Sequence, residues 1–274
     1  STRCKPTTER TSVGSGAGKP SASQARFIAS MMALALSTNV PSQSNTTNRR
    51  GGSLGTAFFL ECSNKFCEGG FLHTVSRMNQ TRIHLEAQLT EILFASPLLE
   101  RILKFAPESR LPDWHLCAGC LTQTVWNALS GYTYDRGIDD IDLIYFDADD
   151  LSEASEAANA SLIAQSFPGI GIHFDVKNEA RVHIWYEARF GRAIQPYRSI
   201  ADAVATFPTT ATAIAVRPSV ECLEIVAPFG MDDLFTGVVR PNKALVTRNI
   251  YENKIARWRR IWPDLTYLSW SETV

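Results

Sequence analysis

The most constraining feature of the sequence is an apolar run with two aspartates at its start. The segment reads GIDDIDLIYFDADD, and Ile141–Phe146 has the β-branched and aromatic content of an internal strand. Asp140 and Asp142 stand at its entrance. Side chains at i and i+2 of a strand share a face, roughly 6.5–7 Å apart, so the two carboxylates can hold one or two hard cations. The alternative is a solvated strand entrance, with Asp140 capping a turn.

A second apolar segment places another carboxylate between hydrophobic neighbours. The stretch IHFDVKNEARVHIWYE predicts an extended hairpin, and residues 174–176 read Phe-Asp-Val. A buried Asp is costly unless it is paired or holds a metal, so Asp175 is the third candidate ligand. In an uninterrupted strand, Lys177 and Arg181 share a face with Asp175. Alternatively, Asn178 begins a turn, and the residues after it no longer share a strand face with Asp175.

Charge and composition divide the chain near residue 80. Residues 1–80 carry nine Lys or Arg and three Asp or Glu, whereas residues 81–274 carry 18 and 25. The first segment is rich in Ser, Thr, Gly and Asn, so we expect a mostly disordered basic arm or an organelle transit segment. Its longest apolar run, Phe27–Leu36, is about half the roughly 20 residues that a membrane span needs. We expect no membrane partner and a cytoplasmic protein, with organelle import as the alternative.

Hydrophobic periodicity predicts helices around these strands. From His84 onward apolar residues recur at three- and four-residue spacing with a break at Pro97, so a helical hairpin opens the folded domain, residues 81–274. The stretch WHLCA predicts a short buried strand. Gly119 then predicts a tight turn, and LTQTVWNALSGY predicts a helix. Leu151–Phe167 predicts another helix.

The C-terminal stretch YENKIARWRRIWPDLTYL predicts an amphipathic helix. Ile255 and Trp258 would cover the sheet, with Arg257, Arg259 and Arg260 pointing outward. A mixture of Arg and Trp also occurs where proteins contact nucleic acid. However, residues 81–274 have a net charge of -7, and nucleic-acid-binding domains usually show a basic footprint. We therefore expect a core helix with a solvated basic face, and no nucleic-acid partner.

Two cysteines form a C-x-x-C pair at the predicted junction of strand and helix. Alone, Cys117 and Cys120 suggest a redox dithiol or half of a zinc site. Cys117 falls at a strand position that would otherwise be apolar, and free Cys is among the most buried residue types. We therefore interpret the pair as two small packing residues. A dithiol enzyme would require both thiols to be exposed.

Three short motifs resemble the core of the nucleotidyltransferase superfamily. They are Gly119-Cys120, Asp140-Ile141-Asp142 and Phe174-Asp175-Val176. Over residues 85–270 the chain is also similar to the nucleotidyltransferase-like proteins of largely unknown function found in bacteria and fungi. That similarity is carried by the segments LPDWHLCAGCLTQTVWN, GIDDIDLIYFDADDLS, VKNEARVHIWYE, FPTTATAIAVRP, LEIVAPFGMDDLFTGVVRPNK and WRRIWPDL.

The resemblance implies an α+β nucleotidyltransferase fold, with a small mixed sheet flanked by helices. It implies a Mg²⁺-dependent enzyme that transfers a nucleoside monophosphate from a nucleoside triphosphate to a small-molecule or protein acceptor. Asp140 and Asp142 would hold one or two Mg²⁺ ions, and Asp175 would ligate a metal or act as the base. Gly119 and Cys120 would bring backbone amides to the triphosphate, and Lys177 and Arg181 would face its phosphates.

Two alternatives to this interpretation stay open. Glu224, between Leu223 and Ile225, also fits the pattern apolar-carboxylate-apolar and is the alternative third carboxylate. The second functional hypothesis is a non-catalytic nucleotide-binding or interaction protein on the same fold, because no acceptor-binding domain is evident. Cys120 stands where the superfamily often has Gly or Ser, and its bulk would hinder a phosphate.

Overall fold

A computed structural model describes residues 70–105, 110–219 and 222–272 of the chain. The helices are α1 (Gly70–Ala95), α2 (Pro97–Phe105), α3 (Gly119–Leu129), α4 (Glu153–Ser166), α5 (Val182–Phe190), α6 (Ile200–Val204), α7 (Asp232–Phe235) and α8 (Arg248–Ile261). The strands are β1 (His115–Cys117), β2 (Asp140–Tyr145), β3 (His173–Asn178), β4 (Ala215–Pro218), β5 (Leu223–Val226), β6 (Val238–Val239) and β7 (Thr266–Tyr267). Residues 1–69, most of the predicted basic arm, lie outside the described part.

The two predicted N-terminal helices are present, and the first begins earlier than expected. α1 begins at Gly70 instead of His84, within the range assigned to the arm. The break falls at Ser96, whose hydroxyl accepts a hydrogen bond from the backbone N–H of Leu99 at 3.4 Å. Pro97 follows as the first residue of α2, where its fixed φ suits a helix start. No helix in the described ranges is long and apolar enough to cross a membrane.

Five strands form one mixed sheet in the order β3-β2-β1-β4-β5. β2 and β3 are parallel, and α4 connects them, whereas the other three pairings are antiparallel. β6 and β7 form a separate two-stranded parallel pair. The predicted α+β architecture, a small mixed sheet flanked by helices, is confirmed.

The two faces of the sheet bury different kinds of side chain. One face presents Leu116, Leu143 and Val176 to the main hydrophobic core, which includes residues of α3, α4 and α8. On the other face, Asp142 and Asp175 lie in one row with Cys117. A smaller apolar cluster built around α5 and α6 covers part of this second face. The two buried carboxylates of β2 and β3 therefore lie on one face of the sheet.

Aromatic packing fixes α8 against α3. The ring of Trp126 makes edge-on contacts with Trp258 and Trp262, with centroids 5.3 Å and 5.5 Å away. The predicted inward face of α8 is confirmed, since Trp258 is buried. The expectation that Arg257 points outward is wrong. Its guanidinium donates to the carboxylate of Asp139 and to the carbonyl of Gly137, so this side of α8 faces the entrance of β2.

The extended hairpin expected after Asp175 is not formed. β3 ends at Asn178, a 3-10 turn covers Glu179–Arg181, and α5 follows. The cause is the side chain of Asn178, whose oxygen accepts from the N–H groups of Ala180 and Asp147. Its amide group donates to two backbone carbonyls in the loop after β2. The alternative prediction, a turn that begins at Asn178, is confirmed. Arg181 therefore does not share a strand face with Asp175.

Candidate active site

Strands β2 and β3 bring the three predicted aspartates to one face of the sheet. Asp142 and Asp175 are partners in the parallel ladder, and adjacent strands lie about 4.8 Å apart. Asp140 precedes Asp142 by two residues and pairs with His173. Asp142 and Asp175 are only 5% and 3% exposed, whereas Asp140 is partly exposed at the strand entrance. The site therefore consists of two buried carboxylates and a third nearer the surface.

Burial is the main influence on the ionisation of these carboxyl groups. It raises the pKa of Asp175 to about 7, while the charge of Lys177 acts in the opposite direction. Burial also raises the pKa of Asp142 well above its ordinary value, and the charges of Asp140 and Asp175 add to this effect. The pKa of Asp140 is raised by burial as well. Ionising all of these groups together is unfavourable until a cation joins them.

Two oxygens of this group have no hydrogen-bond partner. They are Oδ1 of Asp142 and Oδ2 of Asp175, and both are buried. A buried carboxylate oxygen without a partner is costly, and a hard cation with oxygen ligands would relieve that cost. Within the ranges the structure describes, no three His, Cys, Asp or Glu side chains are arranged to hold one metal ion. Two carboxylates still fit Mg²⁺, which often binds through one or two carboxylates and substrate phosphates.

The N-terminus of α3 approaches the aspartates through a strained turn. The turn residue is Ala118, with φ 56° and ψ -123°, which costs an L-residue on the order of 1–3 kcal/mol. The tight turn was predicted at the next residue, Gly119. Gly119 donates its backbone N–H to Asp142, and a Cβ on it would lie 3.3 Å from Nε2 of Gln123 and 3.8 Å from Oδ2 of Asp142. Glycine thus keeps the space beside this carboxylate open.

The two cysteines of the C-x-x-C pair are packing residues, as predicted. Cys117 is fully buried and Cys120 is 1% exposed, with its thiol donating to the carbonyl of Cys117 at 3.3 Å. Burial raises the pKa of both thiols well above the ordinary value. The dithiol interpretation is wrong, because neither thiol is accessible or readily ionised.

The two basic residues predicted to contact nucleotide occupy different environments. Lys177 is buried, and its Nζ lies 3.5 Å from Asp175 Oδ1 and 3.9 Å from Glu156 Oε1. Arg181 is also buried, and its Nη1 lies 2.8 Å from Glu156 Oε1. Its Nε donates to the carbonyl of Leu151. Lys177 therefore adjoins the aspartates, whereas Arg181 is the counter-ion of a glutamate on α4.

One basic residue near the aspartates, Lys254 of α8, was not predicted from the sequence. Burial lowers the pKa of its ammonium group to about 8, and the charges of Asp142 and Asp140 oppose that shift. The side chain therefore lies within electrostatic reach of both aspartates. The sequence signal that could have identified Lys254 is its spacing from Arg257. Lys254 precedes Arg257 by three residues, which places the two on one side of a helix.

Glu224 is remote from the aspartates. It is exposed on the edge strand β5, and its carboxylate pairs with Arg217 of β4 at 2.7 Å. Three strands separate β5 from β3 in the sheet. The third carboxylate beside Asp142 is thus Asp175.

The part of the chain that forms the sheet matches the model of a known protein family. A family model described as Nucleotidyltransferase matches residues 104–267, more than half of the chain. The chain belongs to this nucleotidyltransferase family. Nucleotidyl transfer is therefore the general chemistry to which the site belongs. Among curated proteins, no match is found.

Solved structures support the same fold. One, described as an NMR structure that reveals a CCA-adding enzyme head domain, is 25% identical with a TM-score of 0.56. The match covers 67% of this chain and 95% of that chain. The CCA-adding enzyme of Bacillus stearothermophilus in complex with CTP is 16% identical, with a TM-score of 0.31, over 61% of this chain and 38% of that chain. The second likeness is too weak to support an argument.

Proposed function

We propose that this family member is a Mg²⁺-dependent nucleotidyltransferase that uses a nucleoside triphosphate. The carrying observation is the in-register pair Asp142 and Asp175, each with one buried oxygen that lacks a hydrogen-bond partner. The pair lies beside the N-terminus of a helix, which favours bound phosphate. The acceptor is a hydroxyl of a small molecule or a protein.

Each residue has a distinct role in this proposal. Asp140, Asp142 and Asp175 would hold the divalent cation, which neutralises phosphate charge and activates the attacking oxygen. The backbone amide of Cys120, in the first turn of α3, would face the triphosphate, whereas the N–H of Gly119 already donates to Asp142 and would hold this ligand in position. The buried thiol of Cys120 does not obstruct this approach, because it is hydrogen-bonded inside the fold.

The transfer itself exchanges one phosphorus–oxygen bond for another. The acceptor oxygen forms a bond to the α-phosphorus, and the bond from that phosphorus to the bridging oxygen of pyrophosphate breaks. The electron pair of the broken bond leaves with pyrophosphate, and the hydroxyl proton passes to solvent water. Lys177, beside Asp175 at 3.5 Å, would favour the ionised form of this metal ligand.

Calorimetry on the full chain tests this function. Each of the four common nucleoside triphosphates is titrated with and without Mg²⁺ into the native protein, Asp142→Asn and Asp149→Asn. Asp149 is exposed in the loop after β2 and is the matched control. We expect Mg²⁺-dependent binding in the native protein and the control, and its loss in Asp142→Asn. Absence of binding of any triphosphate to the folded protein would favour the non-catalytic alternative.

A further inference from the structure

A cavity of about 160 Å³ lies on the same side of the sheet as the aspartates. Five aromatic rings contribute to its wall: Trp185, Tyr186, Phe190, Tyr197 and Phe207. Two further lining residues connect it with the candidate active site. Glu179 follows Asp175 by four residues, and Ile250 precedes Lys254 by one helical turn. A cavity of about 150 Å³ accommodates a benzene ring, so this space suits a ring-sized group.

The cavity wall includes a buried carboxyl group, that of Glu179. Glu179 is 3% exposed, and its Oε1 has no hydrogen-bond partner. Burial raises its pKa to about 8, with the charge of Glu156 adding to the shift and the charge of Lys177 opposing it. A bound cation that carries its own hydrogen-bond donors would stabilise the ionised form of this carboxyl group and give its unpartnered oxygen a partner.

The aromatic wall suits the same kind of ligand. The faces of Trp, Tyr and Phe rings attract an ammonium group within about 6 Å, and groups of such rings recognise ammonium ligands. Arg192 is the cationic residue of the lining, and it is exposed and donates to the carbonyl of Ala244 at 2.9 Å. A ligand cation is therefore better placed against Glu179 than beside Arg192.

We propose that this cavity binds an amine-bearing molecule, with its ammonium group against Glu179 and its apolar body among the aromatic rings. Resting on the proposed function, we assign this molecule as the acceptor. A protonated amine is not a nucleophile, so the attacking atom is a hydroxyl oxygen elsewhere on the same molecule. The ligand class is therefore an amino alcohol with an apolar or aromatic body.

The test compares two probes of equal size, 2-phenylethylammonium and 2-phenylethanol. Each is titrated into the full chain without nucleotide, followed by the indole N–H resonance of Trp185, which has no hydrogen-bond partner. We expect the ammonium probe to bind at least tenfold more tightly than the alcohol. In Glu179→Gln, which keeps the shape of the side chain, the two affinities should agree within about threefold. Glu187→Gln, an exposed substitution on α5, should keep the native preference.

Three results would overturn the inference: equal or tighter binding of the alcohol, survival of the preference in Glu179→Gln, or no binding of either probe. Triphosphate binding measured on the same samples separates this inference from the proposed function. If a triphosphate binds but the amine does not, only the amine site fails. If the amine binds and no triphosphate does, the cavity stands as an amine site and the proposed function fails.

Discussion

Two groups of buried charges lie close to β3, and they differ in how completely their atoms are paired. In the closed group, Glu156 accepts hydrogen bonds from Arg181 at 2.8 Å and from the backbone N–H of Asn178 at 2.9 Å. In the open group, Asp142 and Asp175 each retain one buried oxygen without a partner. The difference separates a structural ion pair from a site that is completed by a ligand.

Stability should respond in opposite ways to changes in the two groups. Removing one member of a satisfied buried pair leaves the other charge stranded in a low-dielectric interior. Neutralising a carboxylate that is already poorly compensated removes a cost instead. Matched substitutions in the two groups can therefore confirm or break this distinction.

The largest effect is expected in the closed group. Glu156→Gln should lower the free energy of unfolding by about 3–5 kcal/mol, because Arg181 and Lys177 lose the carboxylate they share. Urea denaturation at pH 7 measures the change, with Glu153→Gln, exposed one turn earlier on α4, as the control. A loss below about 1 kcal/mol would mean that the closed group does not hold the fold.

Replacing an aspartate of the open group with a neutral residue should weaken triphosphate binding without lowering the free energy of unfolding. Asp142→Asn should weaken Mg²⁺-dependent triphosphate binding by about 100-fold, because an amide is a poor ligand for the cation. Its free energy of unfolding should equal or exceed that of the native protein, because a buried charge with little compensation has been removed. Calorimetry and urea denaturation of the same sample give both values. Destabilisation comparable to that of Glu156→Gln would contradict the assignment.

Glu179 should give a smaller effect that depends on pH. In the unfolded chain this carboxyl ionises near its ordinary pKa of 4.5, whereas the folded protein retains the proton to about pH 8. The folded state therefore binds more protons between these values, and stability falls as pH rises. Glu179→Gln should remove this contribution and gain roughly 1–3 kcal/mol at pH 8. Asp175, Lys177 and Glu156 remain in both proteins.

Denaturation curves between pH 5 and pH 8 check this expectation. Glu187→Gln, on the exposed side of α5, should follow the native pH dependence. Parallel curves for Glu179→Gln and the native protein would show that Glu179 is not protonated in the fold.

The smallest effect concerns the buried thiols. Cys117 and Cys120 should resist alkylation in the native protein, because both are buried and burial raises the pKa of both. Cys222 is exposed, immediately before β5, and should react. Mass spectrometry of the three peptides after brief treatment with iodoacetamide reads the outcome. Modification of Cys117 at the rate of Cys222 would reopen the dithiol interpretation.

The sequence predicts those parts of the site whose residues lie within a single strand. Asp140 and Asp142 are two residues apart in β2, and Asp175 lies between apolar neighbours in β3, so strand periodicity predicts their faces. The partners Glu156 and Lys254 were not predicted, because each comes from a helix distant in sequence. Their approach depends on how α4 and α8 pack.

The incorrect prediction after β3 has a local cause. The stretch after Asp175 is rich in residues that favour strands, and the hairpin interpretation followed that propensity. Asn178 ends the strand because its side chain replaces backbone partners in two loops. A single capping residue thus overrides the propensity of the segment, and it directs Glu179 to the cavity instead of continuing the sheet.

Binding of Mn²⁺, measured by electron paramagnetic resonance, tests the central claim most directly. Mn²⁺ replaces Mg²⁺ at oxygen-rich sites, and its free form gives a signal that binding removes. With a triphosphate present, the native full chain and Asp149→Asn should bind more Mn²⁺ than the triphosphate alone. Asp142→Asn and Asp175→Asn should show no such excess. Equal Mn²⁺ binding in all four proteins, or no excess in the native chain, would contradict the assignment of the open group as the cation site.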